Sequence, residues 1–292
     1  MILKIFRAFL TLLRPHQWTK NLFVIAPVVF SKELGEPYVV LKAIFAAVLF
    51  SLSSGAVYAL NDVVDAEKDK LHPLKKFRPV ASGAISTKSA LMFGFFIAGL
   101  STGLSFFFQI KFVLTLLLYF LVNIIYSFWL KKVIILDVMC IASGFLLRVI
   151  AGSYAANVKA SIWILLCTYL LALFLALGKR RHEMAVNTGN LARPVLSQYS
   201  PGLIEILMKI LAFLSAFSYF IYTISPHTRN YFGTNGLVFS VPFVLFGLLR
   251  FVRISTKTDS SESPTDSMIK DIPFIINLFL WFITITLLIY VF

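Results

Sequence analysis

The chain has 292 residues, 59% hydrophobic and 15% aromatic, with a mean hydropathy of +0.87. A soluble domain holds about 45–50% apolar residues, so this balance excludes an ordinary soluble enzyme and points to an all-α polytopic membrane protein. The formal charge of +14 invites a polyanion such as nucleic acid, but its distribution along the chain accounts for it without one.

Residues 1–20 open with MILKIFRAFLTLLRP, in which Ile2, Phe6, Phe9 and Leu13 share a side and Lys4, Arg7 and Arg14 are interspersed. This predicts an interfacial amphipathic helix rather than an export signal. RPHQWTK follows at 14–20, with Trp18 suited to an aromatic belt and Lys20 to the headgroup level. Apolar runs of about the 20 residues that span a bilayer then predict nine transmembrane helices. They fall at 21–35, 38–60, 88–108, 112–130, 133–156, 160–178, 202–224, 235–253 and 272–292, in a single membrane domain over 1–292. Pro27 makes the first the weakest. With a cytoplasmic N-terminus, twenty Lys and Arg fall on the cytoplasmic side and five on the other. That asymmetry obeys the positive-inside rule and predicts a multi-pass protein of the cell membrane. Cys140 and Cys167 lie inside apolar runs with no metal spacing and are read as packing residues.

The second predicted span, rich in small residues (Ser53, Ser54, Gly55), delivers NDVVDAEKDKLHPLKKFRP at 61–79. Asp62, Asp65 and Asp69 stand at i, i+3 and i+7, which on one helix places them on one face within roughly 60°. Carboxylates so arranged suit Mg²⁺ carried with a substrate phosphate. Lys75, Lys76 and Arg78 suit phosphate oxygens. Residues 61–87 are therefore a candidate cytoplasmic active-site loop, non-helical from about Leu71 to Gly83.

The fourth span ends NIIYSFWLKK, with Asn123 and Tyr126 a turn apart. The fifth carries Asp137 and Arg148, about 16 Å apart along a helix and so unable to pair. Arg148 is read as a bundle stabiliser. Asp137 is either bonded to Lys131, Lys132 or a neighbouring helix end, or catalytic. The sixth span closes on LALGKRRHE, where Lys179 and Glu183 share a face and Arg180 and Arg181 flank them. These bases either mark a cytoplasmic helix end or form a diphosphate pocket, and His182 is read as an ordinary surface histidine. The loop reaching to 201 could cover a site. Glu205 and Lys209 are expected to neutralise each other, and 255–271 is read as a flexible linker.

A membrane helix ending in Asn61, Asp62, Asp65 and Asp69 resembles the first aspartate-rich motif of the UbiA-type intramembrane prenyltransferases. The second motif of that superfamily, DxxxD, is replaced here by GKRRHE, with Lys179 and Glu183 at the aspartate positions. RPHQWTKN at 14–21, the motif at 61–79, YSFWLKKVIILDV at 126–138 and LGKRRHE at 177–183 together resemble the decaprenyl-phosphate phosphoribosyltransferase branch. The resemblance implies a UbiA-like bundle with its active site open to the cytoplasm. It also implies transfer of 5-phosphoribosyl from phosphoribosyl diphosphate (PRPP) to a polyprenyl phosphate, a step towards lipid-linked arabinose. It implies Mg²⁺ on Asp62, Asp65 and Asp69 with Asn61 in support. PRPP phosphates would meet Lys179 and Arg180, with Glu183 on a ribose hydroxyl or orienting Lys179. Arg14, Lys20 and Arg78 would handle the acceptor phosphate, with Lys75 and Tyr126 as further substrate contacts. The alternative within the superfamily is transfer of a prenyl group from prenyl diphosphate. A transporter of anionic lipids or metabolites is disfavoured, because the charges gather on one side and no inverted repeat is evident. A small-residue helix face would permit assembly into a homo-oligomer.

Overall fold

Pro37, at the first turn where its missing N–H costs nothing, opens the longest helix of the protein, Pro37–Val64. The computed structural model describes residues 2–72, 75–186, 199–256 and 264–291, and among these every regular element is helical. They cluster into two compact units, Met1–Lys131 with Gly144–Ala160, and Lys132–Ser143 with Ser161–Phe292.

The first unit contains α1 (Ile2–Leu12), a 3₁₀ segment (Pro15–Val24), α2 (Ala26–Val29), α3 (Pro37–Val64) and α4 (Ala66–Leu71). It continues with α5 (Thr87–Ser105), α6 (Ile110–Phe128) and the later turns of α7 (Leu136–Ala156). Its core joins Leu49 and Phe50 of α3 to Phe112, Leu116 and Tyr119 of α6 and to Leu147 and Ala151 of α7. The small residues of α3 let α5 approach closely: Ser53 and Ser101 are hydrogen-bonded at 3.0 Å, and Gly94 lies against Ala59. Gly83, at φ 78°, makes the turn that brings Ser86 to cap α5.

The second unit holds the first turns of α7, then α8 (Ile162–Val186), α9 (Pro201–Ile224), α10 (Pro226–Phe232), α11 (Val241–Thr256), α12 (Pro264–Lys270) and α13 (Ile272–Tyr290). Phe174 and Leu177 of α8 pack with Ile204 and Met208 of α9 and with Leu248 and Phe251 of α11. Asp271 caps α13 through the Phe274 N–H and takes both Arg250 nitrogens, tying α11 to α13. Glu205 and Lys209 form an exposed ion pair at 3.7 Å, as their spacing predicts.

Among the described residues eight helical stretches are long and apolar enough to cross a membrane, and their outward faces carry Phe95, Phe96, Leu249 and Ile272. The chain is a multi-pass membrane protein. The difference from nine lies at 21–35, which is no spanning helix but the end of the 3₁₀ segment followed by the single turn of α2. It nonetheless runs along α3. Arg14 lies beside Asp62, Asn21 beside Ser51 and Ser54, and Val28 beside Ala43. Ten 3₁₀ residues rise about 20 Å, where an α-helix rises about 15 Å. The segment buries one face, at Asn21, Val24 and Val28, while Thr19 and Leu22 stay exposed.

Two further expectations change. The helix carrying the acids is interrupted at Asp65 (φ −97°, ψ 3°), so Asp62 and Asp69 lie on two successive helices, though both still face the Arg78 guanidinium. Of the segment 255–271 read as a linker, Pro264–Lys270 is helical; 257–263 lie outside the described residues, as do Pro73, Leu74 and 187–198 of the predicted loops.

A Cβ added to Gly152 would overlap the Val24 carbonyl, whereas Gly99 and Gly103 face open space. Gly152→Ala is therefore expected to destabilise by about 1–3 kcal/mol through overpacking. Gly99→Ala and Gly103→Ala should be neutral or stabilise by up to about 1 kcal/mol. Thermal unfolding in detergent checks the contrast, and equal melting temperatures for all three would contradict this packing.

Candidate active site

Asp62, Asp65 and Asp69 are each met by a cation from outside the acid motif. Asp62, on the last turn of α3 and 1% exposed, receives Arg14 on Oδ1, with Arg78 Nη1 at 3.7 Å. Arg78 Nη1 also donates to Asp69 Oδ2 at 2.6 Å on α4. Asp65, at the break, takes Lys131 Nζ at 2.8 Å. Asn61 Oδ1 accepts from Ser127 Oγ of α6 at 2.5 Å. Arg14 is held in the left-handed region (φ 50°), with its guanidinium 4.9 Å from the centre of the Tyr58 ring. A strained residue persists only where its surroundings fix it, and the Asp62 pair and the Tyr58 ring do so here. Lys20 donates to Gln17, three residues earlier on the same segment.

One acceptor in this cluster is unmet: Asp62 Oδ2 is buried and has no hydrogen-bond partner. A buried carboxylate oxygen left bare is costly and marks where a cation belongs. The donors are hard oxygens of the kind Mg²⁺ takes, so they fit that ion chemically. Among the described residues, however, no three Asp, Glu, His or Cys side chains converge into a metal-binding group. Arg78 stands between Asp62 and Asp69, while Arg14 and Lys131 occupy Asp62 and Asp65.

A second cluster forms within the other unit. Arg180 of α8, 1% exposed, donates Nε to Asp137 Oδ2 at 2.6 Å and Nη1 to Glu183 Oε2 at 2.5 Å. Asp137 is fully buried at the start of α7, and its other oxygen accepts from the Tyr199 hydroxyl at 2.8 Å. That hydroxyl in turn accepts the Ile135 N–H at 2.9 Å and so holds a β-branched residue at φ 68°, which such residues avoid. Burial first, and the adjoining Asp137 carboxylate with it, push the Tyr199 phenol up to about 12.

Several residues differ from their sequence reading. Arg180, expected at a phosphate, is enclosed and held by two carboxylates. Of the partners open to Asp137, it takes those of a neighbouring helix end, Arg180 near the close of α8 and Tyr199 beyond it, and not Lys131 or Lys132. His182 is 5% exposed, with neither ring nitrogen hydrogen-bonded, so it is no surface histidine. Lys179 and Glu183, both partly buried, stand on the last turns of α8, and Tyr126 is partly buried near the end of α6. Lys75 begins a single 3₁₀ turn, Lys75–Phe77. The sequence reading passed over Lys131 and Ser127 as site residues, although both lie in the YSFWLKK stretch it had singled out. Tyr199 carried no local signal at all.

Comparison with known proteins accords with this geometry. Residues 21–183 match the UbiA prenyltransferase family. The chain is 33% identical over 223 residues to the decaprenyl-phosphate phosphoribosyltransferase of Mycolicibacterium smegmatis, covering 74% of this chain and 70% of that one. It is 29% identical over 287 residues to the enzyme of the same name from Corynebacterium glutamicum, covering 96% and 86%. A UbiA homolog from Archaeoglobus fulgidus bound to GPP and Mg²⁺ superposes with a TM-score of 0.72 at 19% identity, over 97% of this chain and 99% of that one, which shows a shared fold.

Two predictions follow from the second cluster. Asp137→Ala should destabilise by about 3–5 kcal/mol, because it strips one partner from a buried charge; a melting temperature like the wild type's would contradict the pairing. The raised phenol contributes stability fully below its unfolded value of 10.0, lost as pH rises through the folded value of about 12. Stability should thus fall between those pH values, and less so in Tyr199→Phe, as alkaline melting curves would show.

Proposed function

The chain belongs to the UbiA prenyltransferase family, and we propose that it transfers 5-phosphoribosyl from PRPP to a polyprenyl phosphate, releasing diphosphate. The observation that carries this reading is the end of α8. Where a second acid pair would hold a second metal, Lys179, Arg180 and Arg181 stand with one carboxylate, Glu183, already bound to Arg180. Two relatives bearing the phosphoribosyltransferase name support it across most of the chain.

In this reading the anomeric C–O bond of PRPP breaks, its electron pair leaves with diphosphate, and an oxygen of the polyprenyl phosphate bonds to the anomeric carbon. The acceptor is already an anion, so no strong base is needed. Mg²⁺, when bound, would be held by Asp62 through its unmet oxygen, with Asn61, Asp65 and Asp69 as further donors, and would neutralise charge on the departing diphosphate. Arg78, with Lys75 beside the same turn, offers donors to phosphate oxygens, the guanidinium as a planar fork. Arg14 and Lys20 bring up the acceptor phosphate, and Tyr126 contacts substrate from α6. The resemblance gives Lys179 a substrate phosphate and Glu183 a ribose hydroxyl, and Arg180 holds the Glu183 carboxylate. The Lys and Arg asymmetry supports a cytoplasmic N-terminus in the cell's inner membrane.

Purified protein given labelled PRPP, polyprenyl phosphate and Mg²⁺ should place label in the lipid fraction. EDTA should abolish transfer and added Mg²⁺ restore it. Asp62→Asn and Asp65→Asn should each lower kcat at least about 100-fold, the scale for losing electrostatic stabilisation at a reacting centre. Folded protein with no label in lipid would overturn the reading.

A further inference from the structure

Arg148 lies in the first unit, 5% exposed, and is the one charged side chain of α7 beyond Asp137. Its hydrogen bonds all go to neutral acceptors: Nε to Asn21 Oδ1 at 2.7 Å, Nη1 to the Gly144 carbonyl at 2.8 Å, and Nη2 to the Tyr119 hydroxyl at 3.1 Å. Its guanidinium also stands 4.9 Å from the Tyr119 ring centre and 5.5 Å from that of Phe145. Among the described residues Arg148 has no acidic partner, and such a buried cation costs free energy in a membrane interior that an uncharged side chain of similar volume would not. If Arg148 served packing alone, an apolar residue would serve better. What the guanidinium adds is a rigid fork that reaches three elements at once.

The key contact is Asn21. Its Oδ1 faces Arg148, while its Nδ2 donates to Ser51 and Ser54 of α3 at 3.0 and 3.3 Å. One turn beyond Arg148, Gly152 leaves room for the Val24 carbonyl against α7. The 3₁₀ segment Pro15–Val24 is thus gripped at two points by α7. It needs such a grip, since 3₁₀ runs longer than three or four residues hold poorly by themselves, and this one has ten. Lys20 immediately precedes Asn21, and Arg14 caps the segment's start.

We propose that Arg148 is a positioning residue, which through Asn21 sets the register of Pro15–Val24 along α3 and so places Lys20 and Arg14 for the phosphate of the polyprenyl acceptor. This rests on the acceptor role given to Lys20 and Arg14 above.

The test varies polyprenyl phosphate at fixed PRPP, then the reverse, in purified full-length enzyme. Arg148→Met and Arg148→Lys should each raise KM for polyprenyl phosphate about tenfold and leave KM for PRPP within about twofold, the effect of a lost charged hydrogen bond. Tyr119→Phe, which keeps the ring and removes one acceptor, folds readily and should raise the same KM about threefold. The rise in melting temperature on adding polyprenyl phosphate, which needs no turnover, should shrink in all three. Full rescue by Arg148→Lys would show that charge alone suffices and overturn the proposal. So would equal increases in both KM values with a lowered melting temperature. Lys20→Ala separates the layers. If it leaves the acceptor KM unchanged, the acceptor reading itself fails. If it raises that KM while the Arg148 and Tyr119 variants do not, only the positioning role fails.

Discussion

Three carboxylates at the end of α3 and on α4 cannot stand together near a membrane without positive charge among them, and the chain supplies it from three distant places. Arg14 reaches Asp62, Arg78 reaches Asp69, and Lys131 reaches Asp65. Each pair fixes a different piece of backbone: the junction of α1 with the 3₁₀ segment, the turn after α4, and the connection out of α6. Ion pairs of this kind contribute little net stability compared with apolar packing, so their clustering at one spot supports the proposed binding role over a purely structural one. Among the described residues of this cluster, Asp62 Oδ2 is the buried side-chain atom left without a hydrogen-bond partner. A substrate bringing phosphates and a hard cation offers the arginines and the aspartates new partners of the right sign at the same time.

The same pairing explains why the entry of the chain is irregular. Arg14 must turn back at φ 50° to meet Asp62, and from there the backbone follows α3 as a 3₁₀ segment through polar anchors at Asn21, Ser51 and Ser54. A regular helix beginning at Pro15 would rise only about 10 Å between Arg14 and Asn21, falling further short than a 3₁₀ segment does of the roughly 16 Å of α3 that separates their partners Asp62 and Ser51. Polar side chains facing inward there, an expense in a membrane, hold a strand of backbone that carries Lys20.

The acid motif and the bases around it were legible because their spacing is local and their chemistry specific. The spans were legible from apolar run length, to within a few residues for most of them. What escaped the sequence depended on distance along the chain. Nothing in VVDAE signals that the helix breaks at Asp65, since no proline or glycine stands there. Pro27 weakened the first predicted span, but its 3₁₀ path depends on contacts with α3 and α7. Arg180, read as a phosphate ligand, is claimed by Asp137, 43 residues away in the chain, whose other oxygen takes the Tyr199 hydroxyl, 62 residues away. His182 reads as an exposed residue beside charged neighbours and is buried by packing that its local pattern does not show.

The central claim is that this family member uses a phosphoribosyl donor in place of a prenyl one. The direct measurement offers the purified enzyme equal concentrations of PRPP and a prenyl diphosphate, each carrying its own label, with polyprenyl phosphate and a phenolic prenyl acceptor both present. The account predicts that lipid gains the PRPP label alone, with diphosphate released in equal amount. Prenyl label on the phenolic acceptor, with none from PRPP in lipid, would contradict it.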